Sequence, residues 1–231
     1  MKKIKVFLRQ WNGAVTRAKH LNTRPDWFSY EKCYQSLKSS NDIDLTIMLD
    51  GTLANHHFEF DKKDKVIEFE GGSDFTSFFN CLDAIEKSNP NDDDIIYLVE
   101  DDYLHKPGWS DILLEAFKSF SVDYVTLYDH KDKYFLPMYD ELQSKILVTK
   151  NAHWRTIPST CNTYAGKWST FKKHWPIHQK YCKPENAIGA YDHSKFIELW
   201  KSGSNLISCI PGFSTHCEKE FLSPITNWNN I

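Results

Sequence analysis

Apolar and polar positions along the chain fall into short runs of two kinds. From Lys3 to Leu8 the apolar residues Ile4, Val6 and Leu8 alternate with other positions, which is a strand pattern, so the first strand is expected almost at the amino terminus. After a polar stretch, Pro25 opens a window in which Trp27, Tyr30, Tyr34 and Leu37 recur at helical spacing, and proline suits the first turn of a helix. Ile43 to Leu49 reads as a second strand ending in Asp50-Gly51, and Val66 to Phe69 as a third, followed by Glu70-Gly71-Gly72-Ser73. Phe75, Phe78, Phe79, Leu82 and Ile85 mark one face of an amphipathic helix capped by Ser73 or Asp74. The unbroken run Ile95 to Val99 predicts a fourth strand buried on both faces, the usual state of a parallel strand in an α/β sheet.

The order strand, helix, strand, strand, helix, strand is that of an α/β nucleotide-binding half, and right-handed crossovers restrict its topology. The rest of the chain is organised differently. A helix is expected from about Trp109 to Phe120 and a strand over Val122 to Leu127, leading into Tyr128 to Ser144, too long for a simple connector. Short strands are expected at Ile146 to Thr149 and His153 to Ile157, a helix at about Tyr191 to Lys201 and a last strand at Leu206 to Ile210. No repeat, low-complexity stretch or linker composition divides the chain, so residues 1–231 are read as one domain.

The fourth strand ends in three consecutive carboxylates, Glu100-Asp101-Asp102. Charges cannot remain inside a doubly covered sheet, so the acids must emerge at its carboxyl end, where open α/β sheets hold their ligands. Adjacent carboxylates raise one another's pKa unless a cation neutralises them, and Mg²⁺ or Mn²⁺ shared with substrate phosphates is the common solution. A metal-bound nucleotide is the reading this favours; a solvated acidic loop is the ordinary alternative.

Composition narrows the field. At 231 residues and 41% hydrophobic content, the chain can bury about 70% of its unfolded surface. A net charge of −3, with Lys and Arg scattered, leaves no basic stripe for nucleic acid. No stretch reaches the roughly 18 apolar residues of a membrane span, and the apolar run after Met1-Lys2-Lys3 is too short for a signal peptide, so a cytoplasmic protein is expected. The six cysteines (33, 81, 161, 182, 209, 217) show no CxxC pair, which favours buried thiols over a disulfide or zinc framework. Aromatic residues, at 15%, suit sugar sites, although most are expected in the core.

Taken together, Glu100-Asp101-Asp102 after the fourth strand and Thr215-His216-Cys217 near the carboxyl terminus make the chain resemble the GT-A-fold glycosyltransferases, which move a sugar from a nucleoside diphosphate donor to an acceptor. More loosely, it resembles the small stand-alone members, some of them encoded by large DNA viruses. The resemblance implies a mixed, mostly parallel central sheet flanked by helices, with a nucleotide-binding half at about 1–103 and an acceptor half at about 104–231. It further implies that Asp102 and His216 bind Mn²⁺ or Mg²⁺, and that Glu100 faces the donor ribose or sugar, with Asp101 beside it. Asp50 resembles the family's acid that accepts a hydrogen bond from the base, which points to uridine; as a plain alternative, Asp before Gly51 is a good turn residue. An isolated histidine such as His216 is otherwise an ordinary surface or core residue; its place in the Pro211-Gly212-Phe213-Ser214 turn favours the ligand role.

Other residues are read from position. Arg9, directly after the first strand, is placed to meet base, ribose or diphosphate, or else pairs with a surface acid. His153 and Arg155 are candidates for the donor phosphates, within a segment whose Trp154, Ser159, Thr160, Asn162 and Tyr164 suit sugar binding or packing. Gly71 and Gly72 permit close backbone approach or simply lead into a helix. Inverting transfer needs a carboxylate that takes the acceptor's proton. Asp192, in Gly189-Ala190-Tyr191-Asp192-His193, stands where inverting members keep that base, but it is equally placed to cap the following helix. Glu185 is the fallback. Two other classes remain open: a nucleotidyltransferase, which normally needs a Gly-rich phosphate loop where Arg9-Gln10-Trp11-Asn12-Gly13 has one Gly, and a non-catalytic carbohydrate- or nucleotide-binding module.

Overall fold

The computed structural model describes residues 4–13, 23–40, 42–182 and 191–231. Strand β1 (Ile4–Trp11) pairs in parallel with β2 (Ile43–Asp50) and β4 (Ile95–Glu100), and β2 pairs in parallel with β3 (Lys65–Phe69). Their carboxyl ends therefore share one edge. Residues of β4 alternate between two cores, Tyr97 and Val99 facing one and Ile96 and Leu98 the other, as the apolar run required.

Strand β1 does not stop at Leu8. It continues through Arg9, Gln10 and Trp11, with Arg9 opposite Met48 and Glu100, and Trp11 opposite Asp50. The sheet tolerates Arg9 because Glu100 and Asp74 accept hydrogen bonds from its guanidinium at 2.9 and 2.8 Å. Helix α1 (Tyr30–Leu37) likewise begins later than Pro25 suggests. Ser29 caps it by accepting from the Lys32 amide at 3.0 Å, while Pro25 starts a turn closed by the Phe28 amide. Ser73, and not Asp74, caps α2 (Asp74–Lys87), which buries the predicted Phe75, Phe78, Leu82 and Ile85.

Past α3 (Trp109–Ser119) the strand β6 (Tyr124–Thr126) is shorter than its apolar run. The sheet is completed by β7 (Ile146–Val148), β8 (His153–Thr156) and β10 (Leu206–Ile210), together with β9 (Tyr164–Lys167), which carries no strand signature. This strand sits mid-sheet, antiparallel to both β4 and β6. Gly166 lets it fit there: a Cβ would stand 2.9 Å from the Tyr124 ring. The nine strands run β3-β2-β1-β4-β9-β6-β10-β8-β7. Among the described strands only β9 and β8 oppose the rest, so the sheet is mixed and mostly parallel.

A separate two-stranded sheet, β5 (Tyr103–His105) with β11 (Ser214–His216), is also missing from the sequence pattern. So are the short helices α4 (Trp168–Lys173) and α5 (Trp175–Lys180), which precede α6 (Asp192–Lys201). Trp154 and Tyr164 are fully buried core residues and do not face a sugar. Among the described residues no disulfide forms and no helix is long and apolar enough to cross a membrane.

Candidate active site

The carboxyl ends of β1, β2 and β4 open into a cavity of about 320 Å³, walled by Arg9, Asp50 and Glu100 from these strands, by Asp101 and Asp102 in the turn after β4, and by Arg24, Tyr30 and Asp74 from the flanking segments. Parallel pairing puts these residues together: strands of similar length in register must end side by side.

The three acids point to different partners. Glu100 accepts from Arg9 and from the Thr163 hydroxyl at 3.2 Å. Burial raises its pKa, and the charges of Asp192, Asp74 and Asp102 add to the rise while Arg9 opposes it. Asp101 turns toward β1, accepting from the Trp11 amide at 3.1 Å and the Gln10 amide group at 3.2 Å; burial and the neighbouring Asp102 raise its pKa. Asp102 accepts from Arg24 at 2.7 Å and from His216 Nε2 at 3.0 Å, both on Oδ2. Burial disfavours its charge, but His216 and Arg24 outweigh that and hold the carboxyl well below its usual range. The imidazole is pushed up to about 9, burial being overcome by the charge and hydrogen bond of Asp102.

His216 arrives by a route that the turn reading missed. It lies in β11, opposite Tyr103 of β5, and Tyr103 directly follows Asp102. The imidazole stacks on Tyr103 at 5.3 Å between ring centres. Residues 114 positions apart are thereby brought into contact.

Asp102 and His216 constitute the donor set a divalent ion would meet. Among the described residues no cluster of three or more His, Cys, Asp or Glu is arranged as a cage. To be held by this pair, an ion would take most of its ligands from a diphosphate and water, the imidazole would give up its proton, and Arg24 would yield its place on Asp102 Oδ2.

The other candidates are placed as follows. Asp50 Oδ1 accepts from the Gly71 amide at 2.8 Å, and a Cβ on Gly71 would stand 2.4 Å from Asp50 Oδ2, so this glycine serves the approach of Asp50. Asp192 is not the cap of α6; Tyr191 holds that position without a side-chain bond, and Asp192 is the first helical residue. Its carboxylate instead lines a small recess with Asp74, Asn162 and Lys195, and Asp74 also belongs to the main cavity. Arg155 is not on the cavity wall. It lies in β8 near the far edge of the sheet, where it donates to buried Asp129 at 2.8 Å and covers the Tyr134 ring. Its charge is used to neutralise Asp129. His153 is on the same strand. Glu185, Gly189 and Ala190 lie outside the described residues. Sequence reasoning missed Arg24, Asp74 and Lys195 as parts of the site; Asp74 stood out only as a helix cap, and nothing local distinguishes Arg24.

These features define a GT-A-like α/β fold with its cavity at the strand ends. Solved structures of the same architecture include 2-C-methyl-D-erythritol 4-phosphate cytidylyltransferase from Francisella tularensis, at TM-score 0.51 and 15% identity over 99% of this chain and 96% of that one. CMP:2-keto-3-deoxy-manno-octonic acid synthetase complexed with CTP matches at TM-score 0.52 and 11% identity over 92% of each chain. TarS from S. aureus matches at TM-score 0.50 and 12% identity, over 89% of this chain and 57% of that one. At such identities the likeness is one of fold. No protein-family model and no curated protein sequence matches the chain.

Proposed function

We propose that the protein is a glycosyltransferase that uses a divalent metal and moves a sugar from a nucleoside diphosphate sugar, with uridine as the nucleoside, to a hydroxyl of a carbohydrate or glycoconjugate. The observation that carries this reading is the contact of Asp102 with His216 at the wall of the strand-end cavity. A carboxylate and an imidazole from distant parts of the chain suit Mn²⁺ or Mg²⁺. When bound, the ion neutralises charge developing on the leaving diphosphate. Arg9 orients Glu100 toward the ribose or sugar. Asp192, in the recess beside Glu100 and Asp74, takes the proton of the acceptor hydroxyl in an inverting transfer.

In this reading Asp50 uses its second oxygen to accept from N3–H of uracil, a bond cytosine cannot offer. Loss of such a charge-assisted bond costs about 1.5–3 kcal/mol. Asp50→Ala is therefore expected to weaken UDP binding by roughly 10-fold or more and to leave CDP nearly unchanged. Calorimetric titration of UDP, CDP and GDP checks this. The same rank order with the same gaps in both proteins makes Asp50 only the anchor of Gly71.

A second reading, nucleotidyl transfer, is favoured by the near-complete mutual coverage with the cytidylyltransferase and the CMP-sugar-acid synthetase. The two reactions release different products. A panel of UDP-hexoses with simple sugar acceptors and Mn²⁺ is expected to yield UDP, and CTP with sugar phosphates no pyrophosphate. Pyrophosphate from CTP would replace the first reading by the second. If UDP with Mn²⁺ raises Tm but neither product forms, a binding module remains.

A further inference from the structure

Lys195 is a buried cation that none of the steps above employs. It lies on α6, three residues after Asp192, and is 2% exposed. Its ammonium donates to Asn162 Oδ1 and stands 4.0 Å from Asp192 Oδ1. The rings of Phe78, Tyr164 and Phe196 surround it, their centres 4.6, 4.9 and 5.2 Å away. Rings attract a cation, but an unbranched apolar side chain fills a cage of rings without the penalty of burying charge. Packing by itself gives no reason for lysine here.

The neighbouring acids do give one. Asp192 is faced by Lys195 on its own helix, by Asp74 of α2, Arg9 of β1 and Glu100 of β4, and by Asn162 ahead of β9. Tyr181 and Tyr191 also line the recess. Carboxylates gathered in this way take up protons unless cations intervene. Arg9 is already bonded to both Asp74 and Glu100. Among the described residues, Lys195 is the cation that stands next to Asp192.

We propose that Lys195 is a positioning residue whose buried ammonium supplies the counter-charge of Asp192 and, with Asn162, holds that carboxylate at the wall the recess shares with the donor cavity. The proposal deepens the reading of Asp192 as the acceptor's base and rests on it for its catalytic consequence. Burial and the surrounding acids push the Asp192 carboxyl up, and Lys195 is the largest opposing influence. Burial in turn pulls the lysine down, which the charge of Asp192 resists. The two groups thus sustain each other's ionised form.

The test is a carboxyl ¹³C NMR titration of protein labelled at aspartate, with the Asp192 signal assigned by its loss in Asp192→Asn. In Lys195→Met the Asp192 midpoint is expected to rise by about one pH unit or more, a tenfold gain in proton affinity. Tm should fall at neutral pH, because Asp192 loses its counter-charge, and the loss should shrink at lower pH as the carboxyl takes up its proton. With a UDP-sugar that the wild type uses, kcat should fall at least tenfold at neutral pH and recover as pH rises, with UDP affinity within twofold. If Lys195→Met does not fold, Lys195→Gln, which removes the charge but keeps a donor for Asn162 Oδ1, is expected to move the midpoint the same way. An unmoved Asp192 midpoint in the folded variant overturns the proposal. That outcome is separate from the failure of the glycosyltransferase reading, because the titration needs no substrate; a protein that transfers no sugar but shows the shift keeps the pair and loses only its catalytic use.

Discussion

Asp102→Ala is expected to abolish the Mn²⁺ dependence of UDP binding and to slow sugar transfer by about 10²–10³-fold or more, the loss seen when one strong stabiliser of a charged transition state is removed. The prediction has a definite sign because Asp102 stands between two cationic groups, Arg24 at 2.7 Å and His216 at 3.0 Å. If a metal mediates the diphosphate, taking away its carboxylate weakens binding, and His216→Ala weakens it too. If Arg24 and protonated His216 receive the diphosphate directly, removing the intervening negative charge tightens binding and EDTA has no effect. Calorimetry of UDP against the wild type and both variants, with Mn²⁺ and with EDTA, separates the cases. Tighter, EDTA-insensitive binding by Asp102→Ala would falsify the metal reading.

Asp192→Asn is expected to lower kcat by about 10²-fold or more while UDP affinity stays near that of the wild type, since the base acts on the acceptor and not on the nucleotide. Helix capping does not confuse this comparison, because Tyr191 and not Asp192 holds the cap position. The substitution does remove the counter-charge of Lys195, so Tm should fall. The stability lost should stay below the roughly 3–5 kcal/mol typical of a broken, fully buried pair, because the Asp192 side chain remains 23% exposed. Unchanged UDP binding then certifies an intact donor site. Turnover near the wild-type rate, or a product whose anomeric configuration is retained by NMR, removes Asp192 from the role of base.

The N-terminal strands and the cavity they build were legible because long apolar runs are strong signals. Ile95 to Val99 could only be a doubly buried strand, and a run of acids after it could only lie at the sheet's edge. With β1, β2 and β4 in parallel, Arg9, Asp50 and Glu100 had to converge. The register added what no run reveals, that Arg9 is inside β1 and paired across to Glu100. In the later part periodicity marks β10 and α6, but the pairing of Arg155 with Asp129 depends on a chain fold between β6 and β8 that leaves no periodic trace.

The sequence by itself determined the α/β class, the order of its longer elements and the grouping of acids at a strand end, since these follow from local patterns of hydrophobicity and from the cost of burying charge. Tertiary structure alone decided which distant residues touch. The strands β5 and β11, three residues each, are too short to show a pattern, yet their pairing sets His216 against Asp102. Arg24, Asp74 and Lys195 are ordinary charged residues until the packed chain leaves them facing the acids of the cavity and its adjoining recess. A local sequence window carries no information on such encounters, because their energy lies in long-range electrostatics within a desolvated site and not in the propensity of any one segment.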